Sequence, residues 1–162
     1  MKNKALVILI SLVCALLFIL INQMTPFPGQ TSGNGNPAIP LITVLFLLFC
    51  YLVFLWFKLI NIEVKRKPLV FTMTLIAIYW VVAVIYQKAS FMAYRNVLAD
   101  AYKEQFDFVD WDYINQITSF MSIHVNNQYF NVNTYLIFLT ASLFIALLLR
   151  IFTLRGLFSV HP

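Results

Sequence analysis

QKASFMAYRNVLADAYKEQFDFVDWDYINQITSFMSIHVNNQYFNVN, residues Gln87 to Asn133, is the only long stretch of this 162-residue chain that is rich in charged and polar side chains, and uncharged apolar runs bound it on both sides. Neither glycine nor proline occurs from residue 69 to residue 155, 87 positions in all, so the stretch has none of the usual breakers of regular structure. At about 100° per residue, Phe91, Tyr94, Leu98, Tyr102 and Val109 share one face, and Asp100, Glu104 and Asp107 follow i, i+4, i+7 on the opposite one. That pattern predicts an amphipathic helix, either separate from the apolar run before it or continuous with it. A second helix is expected from Asp110, a good N-cap with Asp112 in the first turn. It gathers Ile114, Ile117, Met121, His124 and Val125 on one side and ends at an Asn126-Asn127-Gln128 turn.

Working outward, four apolar runs are each long enough to cross about 30 Å of hydrocarbon at about 1.5 Å per residue. They predict spans at about 5–22, 40–58, 69–87 and 134–152, with residues 88–133 forming a helical cap between the third and fourth. The first run follows Lys2 and Lys4 and exceeds the apolar core of a signal peptide, and Asn22-Gln23-Met24 offers no small-residue cleavage site. Met24 to Pro40 holds four of the six prolines and three of the four glycines, and is expected to be an irregular connector serving linkage alone. Pro40 suits a first helical position, and Lys58 ends the second run. The basic triplet Lys65, Arg66 and Lys67, closed by Pro68, separates the second span from the third. The fold class is therefore all-α: a polytopic membrane protein, with four antiparallel transmembrane helices and an extracytoplasmic amphipathic cap, in one domain covering 1–162.

Composition supports the class. The chain is 62% hydrophobic and only 10% charged, far from the usage of soluble domains. Its net charge of +5 arises at the ends of apolar runs, where basic residues orient helices, and does not point to nucleic acid. Lys2, Lys4, Lys58, Lys65, Arg66, Lys67, Arg150 and Arg155 fall on one side of the expected topology and Lys88, Arg95 and Lys103 on the other. Eight against three places both termini in the cytoplasm. Asp100, Glu104, Asp107, Asp110 and Asp112 all fall outside, and with Trp111 they form the candidate binding surface. Trp111, Tyr113, Phe120, Tyr129 and Phe130 also permit the cap to lie in the outer headgroups rather than above them.

Several chemistries lack their residues. Cys14 and Cys50 stand apart in apolar runs and read as packing residues, without a disulfide or redox pair. The only histidines are His124 and His161, too few for a metal or haem ligand set, and Asp107, Asp110 and Asp112 lack calcium-loop spacing and its glycine. No metal and no cofactor are expected. Ser11 and Ser142 have no neighbouring base, and with Ala15 and Ala146 they read as small-xxx-small packing rows on spans one and four. The spans are read as lacking the intramembrane ionisable groups that coupled transport needs. What remains is a non-enzymatic accessory, regulatory or interaction subunit of a larger assembly in a bacterial cell membrane. Its partners would be the lipid bilayer and another membrane protein or a second copy. The alternatives are a sensor or immunity-type protein binding a ligand or peptide at the acidic cap and, after it, a lipid-modifying enzyme or an oligomeric channel.

Overall fold

A computed structural model describes residues 2–30, 35–60 and 64–158, with side chains described as far as Leu154. Its regular elements are all helical: α1 (Lys2–Gln23), α2 (Ile39–Leu59), α3 (Arg66–Phe106), α4 (Trp111–Ile117), a 3-10 turn (Ile123–Val125), α5 (Asn126–Tyr129) and α6 (Val132–Phe158). Four helices are long and apolar enough to span a membrane: α1, α2, α3 and the Val132–Leu154 part of α6. Between 17% and 28% of each apolar window is buried against the rest of the chain. Side chains such as Leu9, Phe46, Phe71 and Ile85 are left outward-facing, an arrangement suited to lipid rather than water.

Helix α6 is central, packing on α2 along one side and on α3 along the other, with α1 on α2. Phe18 of α1 meets Phe130, Tyr135 and Phe138 edge-to-face at 5.3, 5.4 and 5.4 Å between centroids, the geometry aromatic quadrupoles favour. The Tyr135 hydroxyl donates to the Ser11 carbonyl at 2.9 Å. Between α2 and α6, Phe49 touches Phe138 and Phe57 touches Arg150. Ser142 and Ala146 lie between those two contacts at helical spacing and are fully buried, so small residues occupy the stripe where the two helices close up. Ser11 and Ala15 are half-buried. Leu69 and Ile76 of α3 pack with Leu147 and Ile151 of α6, and the Trp80 indole donates to the Thr140 hydroxyl at 2.9 Å.

Four expectations need correction. The spans were not expected to hold an ionisable group, yet Arg150 is only 6% exposed. Its guanidinium donates from Nη2 to the Phe57 carbonyl at 2.5 Å and lies 4.1 Å from the Phe57 ring centroid. Phe57 sits in the last turn of α2, where unpaired carbonyls form the negative end of the helix dipole, so Arg150 caps a neighbouring helix. Cys14 is buried but Cys50 is exposed on α2, so only Cys14 packs within the chain. Helix α6 continues through Gly156 to Phe158 instead of closing near residue 152. The α1–α2 connector is irregular, as its prolines dictate, but it is not mere linkage. Asn36 is buried in it and bonds to residues about 90 positions away, at Met121 and Asn126.

Candidate functional site

Helix α3 carries the third apolar run and the first amphipathic helix as one element of 41 residues, roughly 60 Å at 1.5 Å per residue and twice the hydrocarbon thickness. Nothing between Pro68 and Phe106 interrupts the i to i−4 ladder. Asp107 ends it by adopting φ 64° while its N–H bonds the Lys103 carbonyl at 2.8 Å, a left-handed cap that Asp tolerates better than branched residues. Three residues later the Asp110 carboxylate accepts from the N–H groups of Asp112 and Tyr113, both at 3.0 Å, and starts α4. The two helices form a hairpin whose core is Leu98, Ala99 and Tyr102 against Ile114 and Ile117, flanked by Tyr94, Val109 and Tyr113.

This geometry redistributes the acidic residues. Asp100 and Glu104 are exposed on α3, one turn apart, while Asp107 lies past the helix end and does not continue their stripe. Asp110 is exposed but committed to capping, and Asp112 is exposed in the first turn of α4. Trp111 is half-exposed beside them. A cleft of about 300 Å3 opens at the α3–α4 corner, lined by Tyr102, Phe106, Phe108, Asp110 and Tyr113. Burial, with Tyr113 alongside, pushes the Tyr102 phenol above its ordinary pKa, and its hydroxyl donates to the Gln30 carbonyl at 3.1 Å. At the other end of α3, Lys65, Arg66 and Lys67 are exposed. Arg66 and Lys67 border a shallow cavity of about 470 Å3 with Val70, Phe71 and Thr74.

The second expected helix stops early. Helix α4 ends at Ile117, Thr118 bonds back to Ile114, and Met121 takes φ 67°. Residues 126–129, expected as a turn, form a helical turn instead. The cause is a set of long-range amide bonds that local periodicity does not encode. Asn36 and Asn126 exchange side-chain hydrogen bonds at 2.7 and 3.1 Å, and the second Asn36 amide hydrogen goes to the Met121 carbonyl at 3.1 Å. Asn22 donates to the Phe130 carbonyl at 2.8 Å, and the Asn127 N–H donates to the Thr25 hydroxyl at 2.8 Å. From α3, Gln87 donates to the Gln128 carbonyl at 2.7 Å and accepts from Asn133 at 3.0 Å, while the Tyr94 hydroxyl donates to the His124 carbonyl at 2.8 Å. His124 is buried, and burial holds its pKa below the ordinary imidazole value. The density of amides in residues 126–133 was the available sequence signal for this lattice. An asparagine-rich turn gives the same signal, and the partners at Asn22, Thr25, Asn36 and Gln87 are far away in sequence.

The chain matches no protein-family model, no curated protein and no solved structure. Among the described residues, no group of three His, Cys, Asp or Glu side chains is placed to hold a metal ion. Among the described residues, the features that could recognise a molecule include the aromatic cleft with Asp110 at its edge and a second, polar hollow of about 370 Å3. The hollow is lined by Gln116, Ser119, Met121, Ser122 and His124, among others.

Proposed function

We propose that the protein is a non-catalytic interaction subunit of a membrane assembly, with both termini in the cytoplasm and residues 88–133 forming an extracytoplasmic cap that binds a partner. The basic asymmetry of the sequence supports the orientation. The contacts support an antiparallel bundle: residue numbers rise together along α2 and α6, at Phe49 with Phe138 and at Phe57 with Arg150, and run oppositely between α3 and α6, at Trp80 with Thr140 and at Gln87 with Asn133.

The observation that carries the functional reading is an ordered cap that leaves large aromatic side chains unburied. The amide lattice fixes residues 118–133 to α1, the α1–α2 connector and α3, yet Phe106, Phe108, Trp111 and Phe120 remain 50%, 64%, 50% and 77% exposed. Large aromatic side chains left exposed on a fixed scaffold are a usual mark of an interaction site, and the nearby carboxylates would give it charge selectivity. Purification of the full chain in mild detergent should recover a stoichiometric membrane partner. Asp100→Asn with Glu104→Gln should lower that recovery and flatten its salt dependence while leaving the helix content unchanged. A monodisperse protein that recovers no partner, from gentle extraction at low salt, refutes the reading.

A further inference from the structure

Helix α3 opens on a run of exposed cations, Lys65, Arg66 and Lys67, with no acidic residue in its first turn. A shallow cavity of about 470 Å3 begins at Arg66 and Lys67 and continues over Val70, Phe71 and Thr74. At about 100° per residue these side chains fall within an arc of about 140°, so the cavity is a groove down one face of a helix. Leu69 and Ile76 turn the other way and pack on α6, the span against which α3 lies. The groove therefore looks out of the bundle. Its wall is apolar, with Val70 44% and Phe71 65% exposed. From Arg66 to Thr74 the helix rises about 12 Å, most of the depth of one leaflet's hydrocarbon, which is half of about 30 Å. The orienting role of the basic triplet requires cations at this end of the helix, but it does not require two of them to head a groove.

We propose that this groove binds one anionic phospholipid of the surrounding bilayer. The phosphate sits between the Arg66 guanidinium, whose planar fork suits two phosphate oxygens, and the Lys67 ammonium. The first part of one acyl chain lies along Val70, Phe71 and Thr74. Two observations select a lipid. The wall belongs to the outward face of a span, where acyl chains are the solvent, and the head of the groove carries the charge complementary to an anionic headgroup. A zwitterionic lipid would bring its own ammonium against the same two cations and should be held less well. The site is independent of the partner-binding role proposed for residues 88–133, which lie towards the other end of α3.

The test has two parts, both on the full chain. In neutral detergent, native mass spectrometry should show one phosphatidylglycerol bound more than about tenfold more tightly than phosphatidylcholine. Each basic residue near an anionic surface is worth a factor of about five, so Arg66→Gln with Lys67→Gln should weaken phosphatidylglycerol binding at least about tenfold. Exchanging the two cations, Arg66→Lys with Lys67→Arg, keeps both charges and should stay within about threefold of the parent. Lys2→Gln with Lys4→Gln removes two exposed cations outside the groove and should change binding less than about twofold. In phosphatidylcholine vesicles holding a minor fraction of phosphatidylglycerol with a diazirine near the ester of one chain, photolysis should crosslink that lipid at residues 70–74. Equal affinity for the two lipids, or equal losses from the two glutamine pairs, would overturn the proposal in favour of diffuse attraction. A loss in the exchanged pair as large as in Arg66→Gln with Lys67→Gln would overturn it as well. So would crosslinks spread evenly over outward-facing positions such as Leu9, Phe46 and Ile85. Displacement of the lipid by inorganic phosphate or by glycerophosphoglycerol at equal concentration would assign the cations to a soluble anion instead.

Discussion

Replacing Asn36 by alanine should release the cap from the α1–α2 connector, and the cost follows from the bonds it makes. Its amide donates to the Asn126 side chain and to the Met121 carbonyl, and its side-chain oxygen accepts from Asn126 and from the Ala38 N–H at 3.0 Å. All four are lost, and the Asn126 side chain, 2% exposed, is left without partners. At about 1 kcal/mol net for each of the bonds to Met121 and Ala38, and about 1–3 kcal/mol for the orphaned Asn126 side chain in place of its two shared bonds, the change should cost about 3–5 kcal/mol. Met121 adds to this, since its left-handed backbone is disfavoured by about 1–2 kcal/mol and is held in part by the Asn36 bond to its carbonyl. Asn126→Ala removes only the two shared bonds, because Asn36 keeps Met121 and Ala38, and should cost about 2–3 kcal/mol. Once Asn36 is gone, deleting Asn126 removes an orphan instead of a bond, so the double variant should fall short of the sum by about 2 kcal/mol. Amide hydrogen exchange in residues 118–131 is the assay, because a local opening should lower protection there by two to three orders of magnitude without affecting the spans. A loss below about 1 kcal/mol for Asn36→Ala, or costs that simply add, would refute the assignment of this pair as the anchor of the cap.

Two further outcomes follow from placement. His124 is buried with its pKa held below the ordinary imidazole value of 6.5, so the unfolded state takes up a proton at a pH where the folded state does not. Stability of the cap should therefore be constant above the unfolded pKa and fall as pH drops below it towards the folded pKa, with His124→Gln flattening that slope in hydrogen exchange; an equal slope in the variant would assign the pH dependence to other groups. In a chain with Cys14 and Cys50 changed to alanine, single cysteines at the exposed positions Lys65 and Gln116 should react with impermeant reagents from opposite sides of an intact membrane, Gln116 from outside. Labelling from the same side would end the four-span reading.

The sequence by itself determined the class, the four apolar helices and the Asp110 N-cap at the α3–α4 corner. These depend on local quantities: run length, the absence of Gly and Pro between residues 69 and 155, and the preference of Asp110 for an N-cap. It also held the small residues Ser142 and Ala146 at a spacing that places them on one stripe. Only the tertiary structure decided that the third span and the first cap helix are a single element. It alone broke the second cap helix at Ile117, set Asp107 off the stripe of Asp100 and Glu104, and drew Arg150 inward onto the end of α2. The break after Ile117 and the placement of Arg150 turn on partners distant in sequence. A buried amide or guanidinium must find a hydrogen bond wherever the fold supplies one, and helical periodicity carries no record of where Asn36 lies relative to Asn126, or Phe57 relative to Arg150.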